Sequence, residues 1–301
     1  MSSYTYTLIN PHNSNLAFKA ISLDHYFPLD ILQRVNYYSL ILLTEGSGRL
    51  QSDFSEYSVS KNSLLCFAPY QPFRLTVQDG QGWVINFHPD FFCIHKHHQE
   101  VACHGILFNN IYEPPFHALE ETGMQKLQAV IADMQLELQQ EALAQHELLV
   151  SLLKIFLITA SRSKADLANH QPSPGITFPA SKLSPVSPPK PFVLQKLKDA
   201  IELHYRQLHS AGKYAEMLNI SPKALAKITK HHFSKTITEM ISERIVIEAK
   251  RELYLTSKLI KTIAYELGFE DEHHFSRFFK NKTEISPQLY RQQVGFAKGE
   301  T

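Results

Sequence analysis

The chain has 301 residues, 44% of them hydrophobic and 20% charged, with a formal net charge of +1, which is enough apolar material for two cores. Met1 to Tyr6 lack the basic start and apolar run of a signal peptide, and the most apolar stretch, residues 148–160, is too short for a bilayer span and contains Lys154, so neither export nor membrane insertion is expected. Cys66, Cys93 and Cys103 are odd in number without C-x-x-C spacing, which points to reduced, buried thiols and a cytoplasmic chain.

Residues 1–115 read as β-rich. Strands are expected at 37–44, 49–54, 57–60, 62–69, 73–77 and 82–87, with Glu45-Gly46-Ser47-Gly48 as a turn between the first two. Short strands punctuated by Gly and Pro argue for a small barrel or sandwich. Residues 117–160 then change to helical period. Leu127, Val130, Ile131, Met134, Leu136 and Leu138 form one apolar face, and Leu148, Leu149, Leu152, Leu153, Ile155 and Phe156 another. Such a pair either packs on the barrel or forms a helical dimer interface.

Residues 161–191 contain Pro172, Pro174, Pro179, Pro185, Pro188, Pro189 and Pro191 with scattered Ser, and read as an extended linker. Residues 192–301 carry 18 Lys and Arg against 13 Asp and Glu, while the first 191 carry 12 against 16. The near-neutral total conceals a basic C-terminal domain joined to an acidic N-terminal one, as in a nucleic-acid reader with a separate sensory or assembly module.

The C-terminal part holds one pattern twice. Ile263, Ala264 and Leu267 share a helix face that Gly268 ends; Asp271 is placed to cap a second helix with Phe275, Phe278 and Phe279 on its inner face. Upstream, Ala215 answers Ala264, Leu218 answers Leu267 and Asn219 takes the place of Gly268. There Ser221 is the N-cap, with Pro222 at the first helical position. A small residue at a helix crossing, then a turn, fits a helix-turn-helix. One long helix over residues 237–255 is expected to join the copies.

Lys261-Thr262-Ile263-Ala264, Gly268-Phe269, Phe275-Ser276-Arg277-Phe278-Phe279-Lys280 and Ser286-Pro287-x-x-Tyr290-Arg291 resemble the AraC/XylS family of bacterial transcription regulators. The family usually has Gly after each recognition helix, where this chain has Ser234 and Glu284. The resemblance implies a multidomain architecture. An all-β cupin-like sensory and dimerisation domain with a helical pair occupies 1–160, the Pro/Ser-rich linker 161–191, and an all-α DNA-binding domain with two helix-turn-helix motifs 192–301. It further implies a homodimer and, for an activator, contact with RNA polymerase. The barrel likeness rests on the Gly-Ser-Gly turn, Phe67-Ala68-Pro69 and Phe87-His88-Pro89.

In a helix-turn-helix the second helix enters the major groove. Outward residues Lys223, Ala224 and Lys227 in the first copy, and Glu272, His273, Ser276 and Arg277 in the second, are the candidates for base contact. Arg277 and Lys227 suit guanine O6 and N7, Glu272 cytosine N4, and Ala224 a thymine methyl. Lys230, Lys280 and Lys282 suit phosphates. Two motifs on one polypeptide predict a double-stranded DNA site of two unlike boxes. A small-molecule effector inside the barrel is expected to be oriented by Tyr38, Arg49, Trp83 or His88.

The alternative from another class is a cupin-like metal enzyme or ligand-binding protein whose helical tail serves protein contacts. A metal centre needs converging ligands. Residues 46–57 contain no histidine, and His95-Lys96-His97-His98 with His104 follows the last strand, where exposed histidines without a metal role are expected. No metal, no cofactor and no catalytic residue are assigned.

Overall fold

The computed structural model describes residues 6–10, 16–23, 29–52, 55–101, 105–139, 142–170 and 190–294. Two compact units make up the fold, the first built on the chain up to Asp166 and the second on Leu167–Leu253 and Ser257–Pro287.

The first unit contains seven strands: β1 (Tyr6–Ile9), β2 (Leu16–Ser22), β3 (Tyr38–Ser52), β4 (Ser55–Ser60), β5 (Ser63–Phe67), β6 (Phe73–Phe87) and β7 (Phe116–Ala118). They form one antiparallel sheet in the order β1-β2-β6-β3-β5-β7, with β4 also on β3. Its backbone is the ribbon of β3 against β6, each 15 residues long.

Alternation along that ribbon sorts the side chains. Tyr38, Leu40, Leu42, Ile85 and Phe87 face one cluster; Ile41, Leu43 and Val84 face the other. The second cluster also takes Leu50 and Leu75 from the far end of the ribbon, so both halves of the ribbon contribute to one apolar cluster. The ladder corrects the sequence reading at one point. Gly46, Ser47 and Gly48 lie within β3, where the register with β6 shifts on both sides of Glu45. This is a bulge that bends a continuing strand rather than a turn that ends it. Across the ladder, a Cβ on Gly82 would meet the Leu42 carbonyl oxygen at 1.9 Å, so only glycine admits this approach.

A single turn, α1 (His98–Val101), follows the sheet. Two long helices, α2 (Glu121–Leu138) and α3 (Gln145–His170), then cover the first face. The pair begins at Glu121, not 117, because residues 116–118 pair with β5 as a strand. Met124, Leu127, Ile131 and Met134 of α2 are buried, with Leu149, Leu153, Phe156, Leu157 and Ala160 of α3. Leu136, expected in the α2 face, is exposed. The expected linker starts too early: residues 161–170 continue α3, since no proline interrupts them and Ser161 is buried. Residues 171–189 lie outside the described residues, and Lys190 and Pro191 open the next helix.

The second unit contains α4 (Lys190–His204), α5 (Ala211–Met217), α6 (Pro222–Phe233), α7 (Ile237–Leu255), α8 (Ile260–Glu266) and α9 (Glu272–Thr283), and α10 (Pro287–Val294) follows. Val193, Leu197 and Ile201 recur along α4, and Met240, Ile241, Ile245, Ala249 and Leu253 along α7, all buried. The helix expected over 237–255 is α7 residue for residue.

Candidate nucleic-acid interface

The turn between α5 and α6 and the turn between α8 and α9 are built alike. In the first, Asn219 adopts φ 53°, its N–H donates to the Glu216 carbonyl at 3.0 Å, and the Ile220 N–H donates to the Ala215 carbonyl at 3.0 Å. In the second, Gly268 adopts φ 81°, its N–H donates to Tyr265 at 3.0 Å, and the Phe269 N–H donates to Ala264 at 3.0 Å. Both are Schellman caps, in which a left-handed residue lets two N–H groups satisfy the last helical carbonyls. Ala215 and Ala264 are fully buried in these turns.

The following helices start on side-chain caps. Ser221 Oγ accepts from the Ala224 N–H at 3.1 Å, and Asp271 Oδ1 accepts from the His274 N–H at 2.8 Å. Each satisfies one of the unpaired N–H groups of a helix start. The His274 N–H is also the main reason the Asp271 carboxyl is held below its ordinary value.

The inner faces follow. Leu225 and Thr229 of α6 are buried, as are Phe275, Phe279 and Thr283 of α9. Phe278, expected on the inner face, is half-buried, its ring 5.1 Å from that of Phe269. Opposite these faces, Lys223, Lys227, His273 and Arg277 are exposed, and Ala224, Glu272 and Ser276 are half-buried. Among the expected phosphate ligands, Lys230 and Lys280 are exposed and Lys282 half-buried. Lys230 Nζ donates to the Ser234 carbonyl at 3.1 Å. Ser234 and Glu284 are left-handed, with φ 56° and 67°, so both keep the conformation for which glycine is the ordinary choice.

The sequence reading passed over the charges behind these helices. Glu248, buried in the middle of α7, accepts from Arg206 at 2.6 Å, Arg251 at 2.9 Å and Arg244 at 3.2 Å. Burial by itself would raise its carboxyl; Arg244, Arg251 and Arg206 together outweigh that and hold it below the ordinary value. Arg244 also pairs with Glu202 of α4 at 2.8 Å and lies 4.1 Å over the Tyr205 ring. Lys258 bridges Glu252 of α7 and Glu266 of α8 at 3.0 and 2.6 Å. The spacing of Arg244, Glu248 and Arg251 was a readable signal for the helical part of this cluster. Arg206, 42 residues from Glu248, was not.

The four expected effector residues do not converge. Tyr38 and Trp83 share the sheet face covered by α2 and α3, and the Tyr38 ring stacks on Phe87 at 4.9 Å. Arg49 is 81% exposed and 3.6 Å from Glu56. His88 is buried beyond the end of β6, with Nδ1 accepting from the Asp90 N–H at 3.2 Å. Strand alternation sets Tyr38 and Trp83 on the sheet face opposite Ile41 and Val84.

In the histidine run, His97 Nδ1 is 2.7 Å from Glu100, which also receives Lys154 at 2.7 Å. These two hydrogen bonds, that of Lys154 foremost, pull the Glu100 carboxyl down to about 2. Cys66 and Cys93 are buried free thiols. Cys103 and His104 lie outside the described residues. Among the described residues no three His, Cys, Asp or Glu side chains are grouped to hold a metal ion, and no helix is long and apolar enough to cross a membrane.

Comparison with known proteins agrees with this anatomy. The profile of a helix-turn-helix domain matches residues 214–293, and that of the AraC-like ligand binding domain matches residues 20–101. The HTH-type transcriptional activator RhaR of Cronobacter sakazakii is 25% identical over 214 residues, 70% of either chain. The activator RhaS of an Enterobacter species is 29% identical over 99 residues, which span 33% of this chain and 36% of that one. The crystal structure of ToxT from Vibrio cholerae aligns with 93% of this chain and 99% of its own, at 17% identity and a TM-score of 0.41. With an AraC-like ligand-binding domain preceding a helix-turn-helix domain on one polypeptide, the chain belongs to the AraC/XylS family of bacterial transcription regulators.

Proposed function

We propose that this regulator is a cytoplasmic activator that reads two unlike boxes of one operator, α6 entering one major-groove segment and α9 the next. The observation that carries the reading is the repeated joint: two Schellman turns with the same bonds, each followed by a side-chain-capped helix whose outward face is polar. A helix held this way presents its first turns to base edges. Lys223, Ala224 and Lys227 serve the first box. Glu272, His273, Ser276 and Arg277 serve the second, and Lys230, Lys280 and Lys282 hold phosphates. The relatives named as activators support that sense of regulation, with RNA polymerase as the partner.

The α3 helix supports a homodimer. Leu148 and Ile155 are 47% and 50% exposed, two turns apart on the flank beside the buried Leu149, Leu153 and Phe156, with half-buried Leu152 between them. An apolar stripe that extends beyond the part already covered leaves further surface to bury. A small effector in the N-terminal domain remains part of the proposal.

The test is selection from random duplex DNA with the full chain, followed by a salt titration on the winner. A two-box site with a steep salt slope is expected. Enrichment of a single box, or none above background, would overturn the reading.

A further inference from the structure

Resting on the two-box reading, we infer that Glu248 is a positioning residue that fixes the distance and angular phase between the two recognition helices, and so makes the protein selective for the spacing between its boxes. The argument starts from where its partners come from. Arg244 and Arg251 stand at i−4 and i+3 on the same helix, and these two alone would only stiffen α7. Arg206 comes from the segment that follows α4. Its side chain reaches into α7, and its carbonyl oxygen lies where a Cβ on Gly268 would stand 2.1 Å away. One residue therefore touches the connecting helix with its side chain and the turn of the second motif with its backbone.

Arg244 repeats the link in the other direction, from α7 to Glu202 of α4, and Arg206 Nε donates to the Tyr205 hydroxyl at 3.0 Å. The hub is a buried carboxylate, and charge-assisted bonds of this kind are directional. Losing Arg206 leaves the buried carboxylate with partners on its own helix alone, so a change in tilt between α7 and the second turn is opposed while Arg206 is held. With 19 residues, α7 is about 28 Å long at the usual helical rise, so a small angular error at the hub becomes a large displacement of the second reading helix.

The experiment measures full-length chain on the selected operator, on the same operator with one or two base pairs inserted or removed between the boxes, and on operators with one box scrambled. The parent chain is expected to lose tenfold or more per altered spacing. Glu248→Gln and Arg206→Gln are expected to bind the native spacing within a few-fold and to lose most of that penalty. Arg251→Gln, whose partner lies on its own helix, is expected to keep it. Thermal melts accompany each variant; if Glu248→Gln does not fold, Arg206→Gln decides alone. A full spacing penalty in folded Arg206→Gln, or an equal loss of penalty in Arg251→Gln, overturns the inference while leaving two-box reading intact. A parent chain indifferent to scrambling of either box overturns both.

Discussion

The two helix-turn-helix copies share a backbone plan and differ in what fills it. At matched positions 50 residues apart, Leu225 answers Phe275 and Thr229 answers Phe279, all four buried. The first copy satisfies its buried hydroxyl internally, Thr229 Oγ1 donating to the Ala226 carbonyl at 3.2 Å. The second packs rings instead: Phe269 lies 5.3 Å from Phe275, and Phe275 6.0 Å from Phe279. The outward faces differ as well, with lysines on the first and an acid, a histidine, a serine and an arginine on the second. The first copy thus carries charge over a modest core, the second a chemically mixed face over an aromatic one.

The comparison can be broken at its core first. Phe279→Ala is expected to cost about 3–5 kcal/mol and Thr229→Ala about 1 kcal/mol or less, read from denaturant melts. Equal costs would erase the distinction between the copies.

The turns come next. Gly268→Ala places a Cβ against the Arg206 carbonyl at positive φ and is expected to cost about 2–4 kcal/mol. Asn219→Gly, at the matching place, is expected to be neutral or stabilising. A harmless Gly268→Ala would show that the contact yields.

On the outward faces, Arg277→Ala is expected to lose about 1–3 kcal/mol on the second box and relax one base. Lys280→Ala is expected to weaken all sequences alike and flatten the salt slope by about one ion. Equal losses on every sequence from both would remove base reading from Arg277.

The smallest effect sharpens the caps. The folded Asp271 carboxyl titrates below its ordinary 3.8, so its stabilisation is present above that value and lost as pH falls through the folded one. The Ser221 cap carries no charge. Acid is therefore expected to fray α9 before α6, seen as earlier amide exchange at His274 than at Ala224; the reverse order would contradict the cap assignment.

What was legible in the sequence was local. Ser221, Asp271, Asn219 and Gly268 announce caps and turns because the physics of a helix end involves only a few neighbours. Strands β1 and β2 were missed because Leu16–Ser22 gains its meaning from β6, more than sixty residues away. The bulge at Gly46 was read as a turn for the same reason: only the partner strand shows that pairing continues. The four residues expected around an effector lie apart because their side-chain types do not reveal which sheet face or strand end each one occupies. Glu248 was half legible, through its helical neighbours.

Ser234 and Glu284 carry a consequence for engineering. Each ends the second helix of its motif in a left-handed backbone that costs a side-chain-bearing residue about 1 kcal/mol more than glycine. Neither is among the residues assigned to touch DNA. Ser234→Gly and Glu284→Gly are thus two independent routes to a sturdier protein for crystallisation with its operator, and removing Glu284 also takes a negative charge away from the end of α9.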